Sequence, residues 1–78
     1  MSLVYSKQAI KFLASQGHIA AQRIRNAIEK LPLGDVVKLK GEDAKYRLRV
    51  GDYRVIFTRS GVILFIEAIN NRGQIYKN

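Results

Sequence analysis

The sequence contains no cysteine, so neither disulfides nor a thiolate metal site can stabilise the fold, and cysteine nucleophile chemistry is excluded. Histidine is limited to His18, a single imidazole that cannot assemble a metal cluster alone and whose place between two helical segments reads as a solvated surface position. No apolar run approaches the roughly 18 residues that would span a bilayer, so no membrane contact is expected. The segment Met1–Tyr5 is too short, and too quickly followed by polar residues, to read as a secretory signal, which makes a cytoplasmic location the default expectation. No repeat or low-complexity stretch interrupts the chain. Acidic residues are scarce: six Asp and Glu stand against fourteen Lys and Arg, a net charge of +8 and a pI near 10.2. In so small a domain this imbalance points to a polyanionic partner. The competing reading is that the charge only keeps the domain soluble, and the positions of the charges decide between the two.

What is present is enough for one core. Seventy-eight residues, 47% of them hydrophobic, make a single domain that buries roughly 60–65% of its unfolded surface, one layer of helices on one sheet. Leu3–Tyr5 reads as a short starting strand. Ser6 stands where a helix N-cap belongs, followed by Ala9, Ile10 and Leu13 at one-face spacing, and Gly17 is expected to close that helix. A second helix, about His18 to Leu31, carries Ile19, Ala20, Ile24, Ala27, Ile28 and Leu31 on one stripe, with Arg23, Arg25, Asn26 and Lys30 off it. Pro32 and Gly34 end the helical hairpin, and Asp35–Ala44 is a connection for which strand and loop both remain open. From Lys45 the period changes to two, giving strands at about Lys45–Val50, Tyr53–Thr58 and Val62–Ile69. Gly51-Asp52 suits a two-residue hairpin loop with glycine first, and Ser60-Gly61 is a weaker signal of the same kind. The expected architecture is α+β, in the order β-α-α-β-β-β, with an N-terminal strand and two-helix hairpin on one face of a small antiparallel β-sheet.

A two-residue Gly51-Asp52 loop sets Val50 opposite Tyr53, Arg49 opposite Arg54, Leu48 opposite Val55, Arg47 opposite Ile56 and Tyr46 opposite Phe57. Tyr46, Leu48, Val55 and Phe57 then face the helices, while Lys45, Arg47, Arg49, Arg54 and Ile56 share the other face. Like charges directly opposite on neighbouring strands stand with Cβ atoms about 4.5–5.5 Å apart and destabilise the pair, so stability alone does not place Arg49 against Arg54. An anion between them turns repulsion into attraction, and the guanidinium fork matches phosphate oxygens. The next hairpin is expected to set Arg59 against Val62 and Arg54 against Glu67, which would let Glu67 hold Arg54. The alternative is an ordinary Arg54–Glu67 surface pair with Arg49 splayed into solvent. Ile56, Ile63 and Phe65 make the rest of this face apolar, and a partner, the Asp35–Ala44 segment or the chain terminus is expected to cover it.

Three stretches carry a family resemblance: Val37-Lys38-Leu39-Lys40-Gly41, the block Tyr46 to Phe57 with its paired basic positions, and Asn71-Arg72-Gly73-Gln74-Ile75-Tyr76. Together they resemble the RelE branch of the RelE/ParE toxin superfamily over the whole chain. The resemblance implies a type II toxin–antitoxin toxin, a ribosome-dependent messenger RNA endoribonuclease that uses no metal or cofactor. By position it implies that Arg47 and Arg49 belong to the active surface, that Arg54 holds the transition-state phosphate, and that Arg72 and Tyr76 act beside the scissile bond. Lys38, Lys40 and Lys45 become RNA-binding residues. Implied partners are a cognate antitoxin with an acidic and apolar segment, the ribosome with its messenger, and operator DNA only through the antitoxin complex.

Two departures from the family pattern bear on the chemistry. Arginine replaces the lysines that serve some members as proton carriers, and a guanidinium stays protonated at physiological pH, so Arg47 and Arg49 stabilise charge rather than move protons. Asn71 stands where the family commonly has histidine. For Tyr76 the residue alone equally allows a C-terminal aromatic packed on the sheet. Two other functions share the evidence so far: a ParE-like gyrase inhibitor on the same fold, and a non-catalytic nucleic-acid-binding autorepressor module.

Overall fold

The computed structural model describes residues 2–41 and 44–71, in the order β1 (Ser2–Tyr5), α1 (Lys7–Ser15), α2 (His18–Glu29), β2 (Asp35–Lys38), β3 (Lys45–Val50), β4 (Tyr53–Ser60) and β5 (Ile63–Asn71). The five strands form one sheet in the order β1-β5-β4-β3-β2. The meander from β2 to β5 is antiparallel, and β1 joins the β5 edge in parallel. The α+β class is as expected, with two refinements: the parallel edge makes the sheet mixed, and the first part of the open Asp35–Ala44 segment is a fifth strand.

The helices cover one face because their apolar stripes fit it: α1 packs on β5 and α2 on β3. Ala9 and Leu13 of α1 and Ala21, Ile24 and Ile28 of α2 are buried against Leu48, Val55, Phe57, Leu64, Ile66 and Ile69 of the sheet. Ile10 and Ile19, expected on those stripes, are exposed at 56% and 78%; helices this short bury a narrower arc than their hydrophobic residues would fill. Ser6 caps α1, its Oγ accepting from the Ala9 N–H at 3.1 Å. Gly17 does not close α1. Its φ of −62° is ordinary extended backbone, and it serves as the N-cap of α2, while Gln16 ends α1.

The β3–β4 register is as the Gly51-Asp52 loop requires, Arg49 opposite Arg54 included. Gly51 has φ +57°, the left-handed value that a two-residue hairpin asks of glycine. The next hairpin differs. Its loop is Gly61-Val62 rather than Ser60-Gly61, so Ser60 faces Ile63 and Arg59 faces Leu64, not Val62. A register shift at Ile56/Phe57 then sets Phe57 against Ile66 but Ile56 against Ala68, leaving Glu67 as an extra residue in β5. Strict alternation would put Ile66 and Ile69 on opposite faces; the β-bulge lets both point at the helices, and both are 0% exposed. Side chains meet the backbone groups of this irregular stretch. Ser6 Oγ donates to the Glu67 carbonyl at 2.6 Å, and beyond the end of β1 the Gln8 amide accepts from Ile69 N at 2.8 Å and donates to Ile69 O at 2.9 Å. The bulge therefore fixes both the helix entry and the face presented by the end of β5.

Candidate phosphate-binding face

Period-two alternation in β3 and β4 sends the residues between the core positions to the face without helices. Reading across the sheet, one row is Asp35, Arg49, Arg54 and Asn70, and the next is Val37, Arg47, Ile56 and Ala68. Lys45 shares the face at the next step, opposite Thr58. Arg47, Arg49, Arg54 and Lys45 are thus brought together as the sequence predicts. The two registers also overturn one expectation: Arg54 stands opposite Asn70, not Glu67, because the displaced loop and the bulge together shift β5 by three residues. The Glu67 carboxylate pairs instead with Lys45 Nζ at 3.2 Å.

The residue that sequence reasoning missed is Asp35. Its carboxylate accepts from Arg49 Nε at 3.0 Å through Oδ2, and Oδ1 lies 3.7 Å from Arg47 Nη2. One carboxylate from the edge strand thus offsets part of the repulsion within the arginine row. It is half exposed, so its attraction is screened by water, and a surface pair of this kind contributes up to about 1 kcal/mol. Nothing in the period or charge pattern of Asp35–Ala44 marked Asp35; only the pairing of β2 with β3 brings it to Arg49. The Arg47 side chain is largely covered, at 15% exposure, and its Nε is buried with no hydrogen-bond partner among the described residues. A buried N–H left unmatched costs about 1–3 kcal/mol.

Lys38, a further predicted site residue, pairs with Tyr46, a core-packed residue, so alternation places it on the other face of the sheet from Arg47. Lys40 is exposed in the turn after β2. Arg72 and Tyr76 lie outside the described residues, as do Glu42 and Asp43 of the Asp35–Ala44 segment. His18 is exposed at the first turn of α2. Among the described residues no group of three or more His, Cys, Asp or Glu is placed to hold a metal, and no helix is long and apolar enough to cross a membrane.

Beyond the charged rows the same face is apolar and partly exposed. Val4, Ile63, Phe65 and Val37 are exposed at 45%, 43%, 37% and 44%, and Asp35–Lys38 extends the sheet edge instead of folding over them. A second groove, between the helices, is lined by Tyr5, Ile10, Arg25 and Glu29. Burial, and then the Glu29 carboxylate, push the Tyr5 phenol above its ordinary value against a smaller opposing effect of Arg25, so it holds its proton throughout the neutral range.

No protein-family model matches the sequence, and no curated protein matches it. Solved structures do match. In the RelB-RelE antitoxin-toxin complex from Methanococcus jannaschii, a chain 28% identical superposes with a TM-score of 0.77 over 94% of both chains. In the archaeal RelE-RelB complex from Pyrococcus horikoshii OT3 the identity is 31% and the TM-score 0.74, over 94% of this chain and 96% of that one. A mutant of YafQ from E. coli, 20% identical, shares the fold with a TM-score of 0.70 over 96% of this chain and 97% of its own.

Proposed function

This chain belongs to the RelE family of toxins, and from that premise we propose that it is the toxin of a type II toxin–antitoxin pair and cleaves messenger RNA on the ribosome. The observation that carries the proposal is the convergence of Arg47, Arg49 and Arg54 from paired positions on a helix-free face, with one carboxylate shared between two of them. A phosphodiester matches this cluster in charge, and its oxygens fit the planar guanidinium fork.

RNA carries its own nucleophile beside every phosphate. When the 2′-oxygen attacks phosphorus, the P–O5′ bond breaks and the products are a 2′,3′-cyclic phosphate and a 5′-hydroxyl. Holding the strand so that the 2′-oxygen, phosphorus and leaving oxygen fall in line lowers the barrier by orientation, and cations at the phosphate oxygens stabilise the charge that builds up there. Arg54 and Arg49 take that second role, with Arg47 flanking them. The family resemblance adds Arg72 to the phosphate and Tyr76 to the base or the proton transfer. Lys38, Lys40 and Lys45 contact RNA away from the reacting centre.

The partner that neutralises such a toxin has to match both halves of the open face: acidic where the arginines lie, and apolar over Val4, Ile63 and Phe65. A cognate antitoxin of that chemistry, acting in the cytoplasm, fits the proposal, and contact with operator DNA is assigned to the complex of the two. Adding the purified protein to cell-free translation tests the function directly. Arrest with messenger cut within codons supports it; intact messenger with poisoned gyrase transfers the fold to the gyrase-inhibitor reading, and salt-sensitive binding without cleavage transfers it to the non-catalytic one.

Asp35 competes with the substrate in this scheme, because it holds Arg49 where a phosphate would dock. Asp35→Asn is expected to tighten binding of a short single-stranded RNA roughly two- to fivefold and to cost less than about 1 kcal/mol of stability. Fluorescence anisotropy with a labelled oligonucleotide measures the first and thermal unfolding the second. A variant that binds RNA more weakly than the wild type would make Asp35 a support for Arg49 rather than a competitor.

A further inference from the structure

The corner where α2 passes the start of β2 holds a cleft of about 360 Å³ lined by Arg23, Asn26, Lys30, Asp35, Leu48 and Arg49. Arg23, Asn26, Ala27 and Lys30 are spaced i, i+3, i+4 and i+7, so they form one stripe of α2. Ala27 packs at the core, while the rest of the stripe is charged or amide-bearing where a helix facing a sheet would ordinarily be apolar. Neither the Arg23 nor the Lys30 side chain has an ion-pair or hydrogen-bond partner among the described residues. The one carboxylate in the cleft, Asp35, is already engaged by Arg49 and Arg47. Asn26 accepts from Gln22 Nε2 on its oxygen at 3.0 Å, which leaves its amide nitrogen as a further donor.

One ordinary explanation covers part of this. Lys30 is the C-cap of α2, where the helix dipole favours a cation. Arg23 is not at a helix end, and its guanidinium lies against the β3–β4 loop: a Cβ built on Gly51 would come 2.7 Å from Arg23 Nη2. The glycine that makes the turn also leaves the space in which this cation sits. Arg49 lines the cleft and belongs to the arginine row as well, so positive charge continues from the open face around the short β2 edge to the helix side.

We propose that this corner cleft is a second anion subsite, in which Arg23, Lys30 and the Asn26 amide bind a backbone phosphate of RNA away from the one being cleaved. The inference rests on the RNA-cleavage reading above and extends its contact surface to the helix layer. Its ligand is a phosphodiester, supplied by the messenger strand continuing past Arg49 or by the structural RNA of the ribosome.

The test uses the full chain with the pair Arg23→Gln and Lys30→Gln, exposed positions whose replacement keeps good helix formers in place. Affinity is measured against salt for two probes, a short single-stranded RNA and purified ribosomes. Loss of the one phosphate held there is expected to make the slope of log affinity against log salt shallower by about 0.7 for a single strand, with an unchanged melting temperature. The charge-conserving pair Arg23→Lys and Lys30→Arg is expected to recover most of the affinity. A loss seen with the oligonucleotide assigns the phosphate to the messenger strand; a loss confined to ribosomes assigns it to ribosomal RNA. If the wild type binds and the glutamine pair binds equally well to both probes, with the same slope, the subsite is refuted while the cleavage reading stands. A wild type that binds neither probe overturns both.

Discussion

Arg54→Ala is expected to lower messenger cleavage on the ribosome by about 10²–10³-fold, the usual cost of removing one donor aimed at developing negative charge, without unfolding the protein. The side chain projects from β4 on the face opposite the helices, opposite Arg49 on one side and Asn70 on the other, so its removal leaves Val55 and Phe57 and the core they build in place. It also relieves a like-charge pair, which limits any loss of stability. Cleavage of a defined message in cell-free translation and the circular-dichroism melting curve of the same preparation check the two halves together. Wild-type cleavage by a folded Arg54→Ala would remove Arg54 from the chemistry. Loss of cleavage together with loss of fold would mean that Arg54 is structural.

Leu48→Ala is expected to act the opposite way, through stability. Leu48 is 1% exposed and lies between Arg47 and Arg49 on β3, with its Cδ1 3.1 Å from where a Cβ on Gly34 would stand. A buried leucine truncated to alanine costs about 2–5 kcal/mol. The whole folding free energy of a domain this size is only about 4–12 kcal/mol, so the loss is a large share of it. At about 4–8 °C per kcal/mol, melting should fall by roughly 8–40 °C. Activity should return on cooling, as the arginines on either side regain their directions with the fold. An unchanged melting temperature would contradict the assignment of Leu48 to the core, and an inactive but fully folded variant would show that Leu48 acts on the site directly.

The contrast between these substitutions follows from what alternation made legible. Gly51-Asp52 announces its own loop, and a two-residue loop fixes every cross-strand pair on β3 and β4, so the meeting of Arg49 and Arg54 could be read from the letters alone. The β5 register could not. Glycine at position 61 serves either as the second residue of a Ser60-Gly61 loop or as the first of Gly61-Val62, and a bulge at Glu67 becomes visible only through the burial of both Ile66 and Ile69. The spacing of Leu64, Ile66 and Ile69 breaks from two to three, and it marks a bulge only once all three are known to be buried beneath the helices. Asp35 was hidden for a different reason: four residues of edge strand, Asp35–Lys38, carry too short a pattern to distinguish strand from loop, and its ion pairs exist only once β2 is paired. Arg23 and Lys30 were legible as polar positions off the stripe of α2, but their nearness to Arg49 is a product of how that helix docks on β3.

The measurement that bears most directly on the central claim is the chemistry of the RNA ends made in ribosome-bound transcripts by wild type and by Arg54→Ala. A guanidinium-held phosphate attacked by its neighbouring 2′-oxygen predicts fragments ending in 2′,3′-cyclic phosphate and beginning with 5′-hydroxyl, abundant with the wild type and nearly absent with the variant. Fragments that begin with 5′-phosphate, or equal yields of the predicted ends from both proteins, would contradict it.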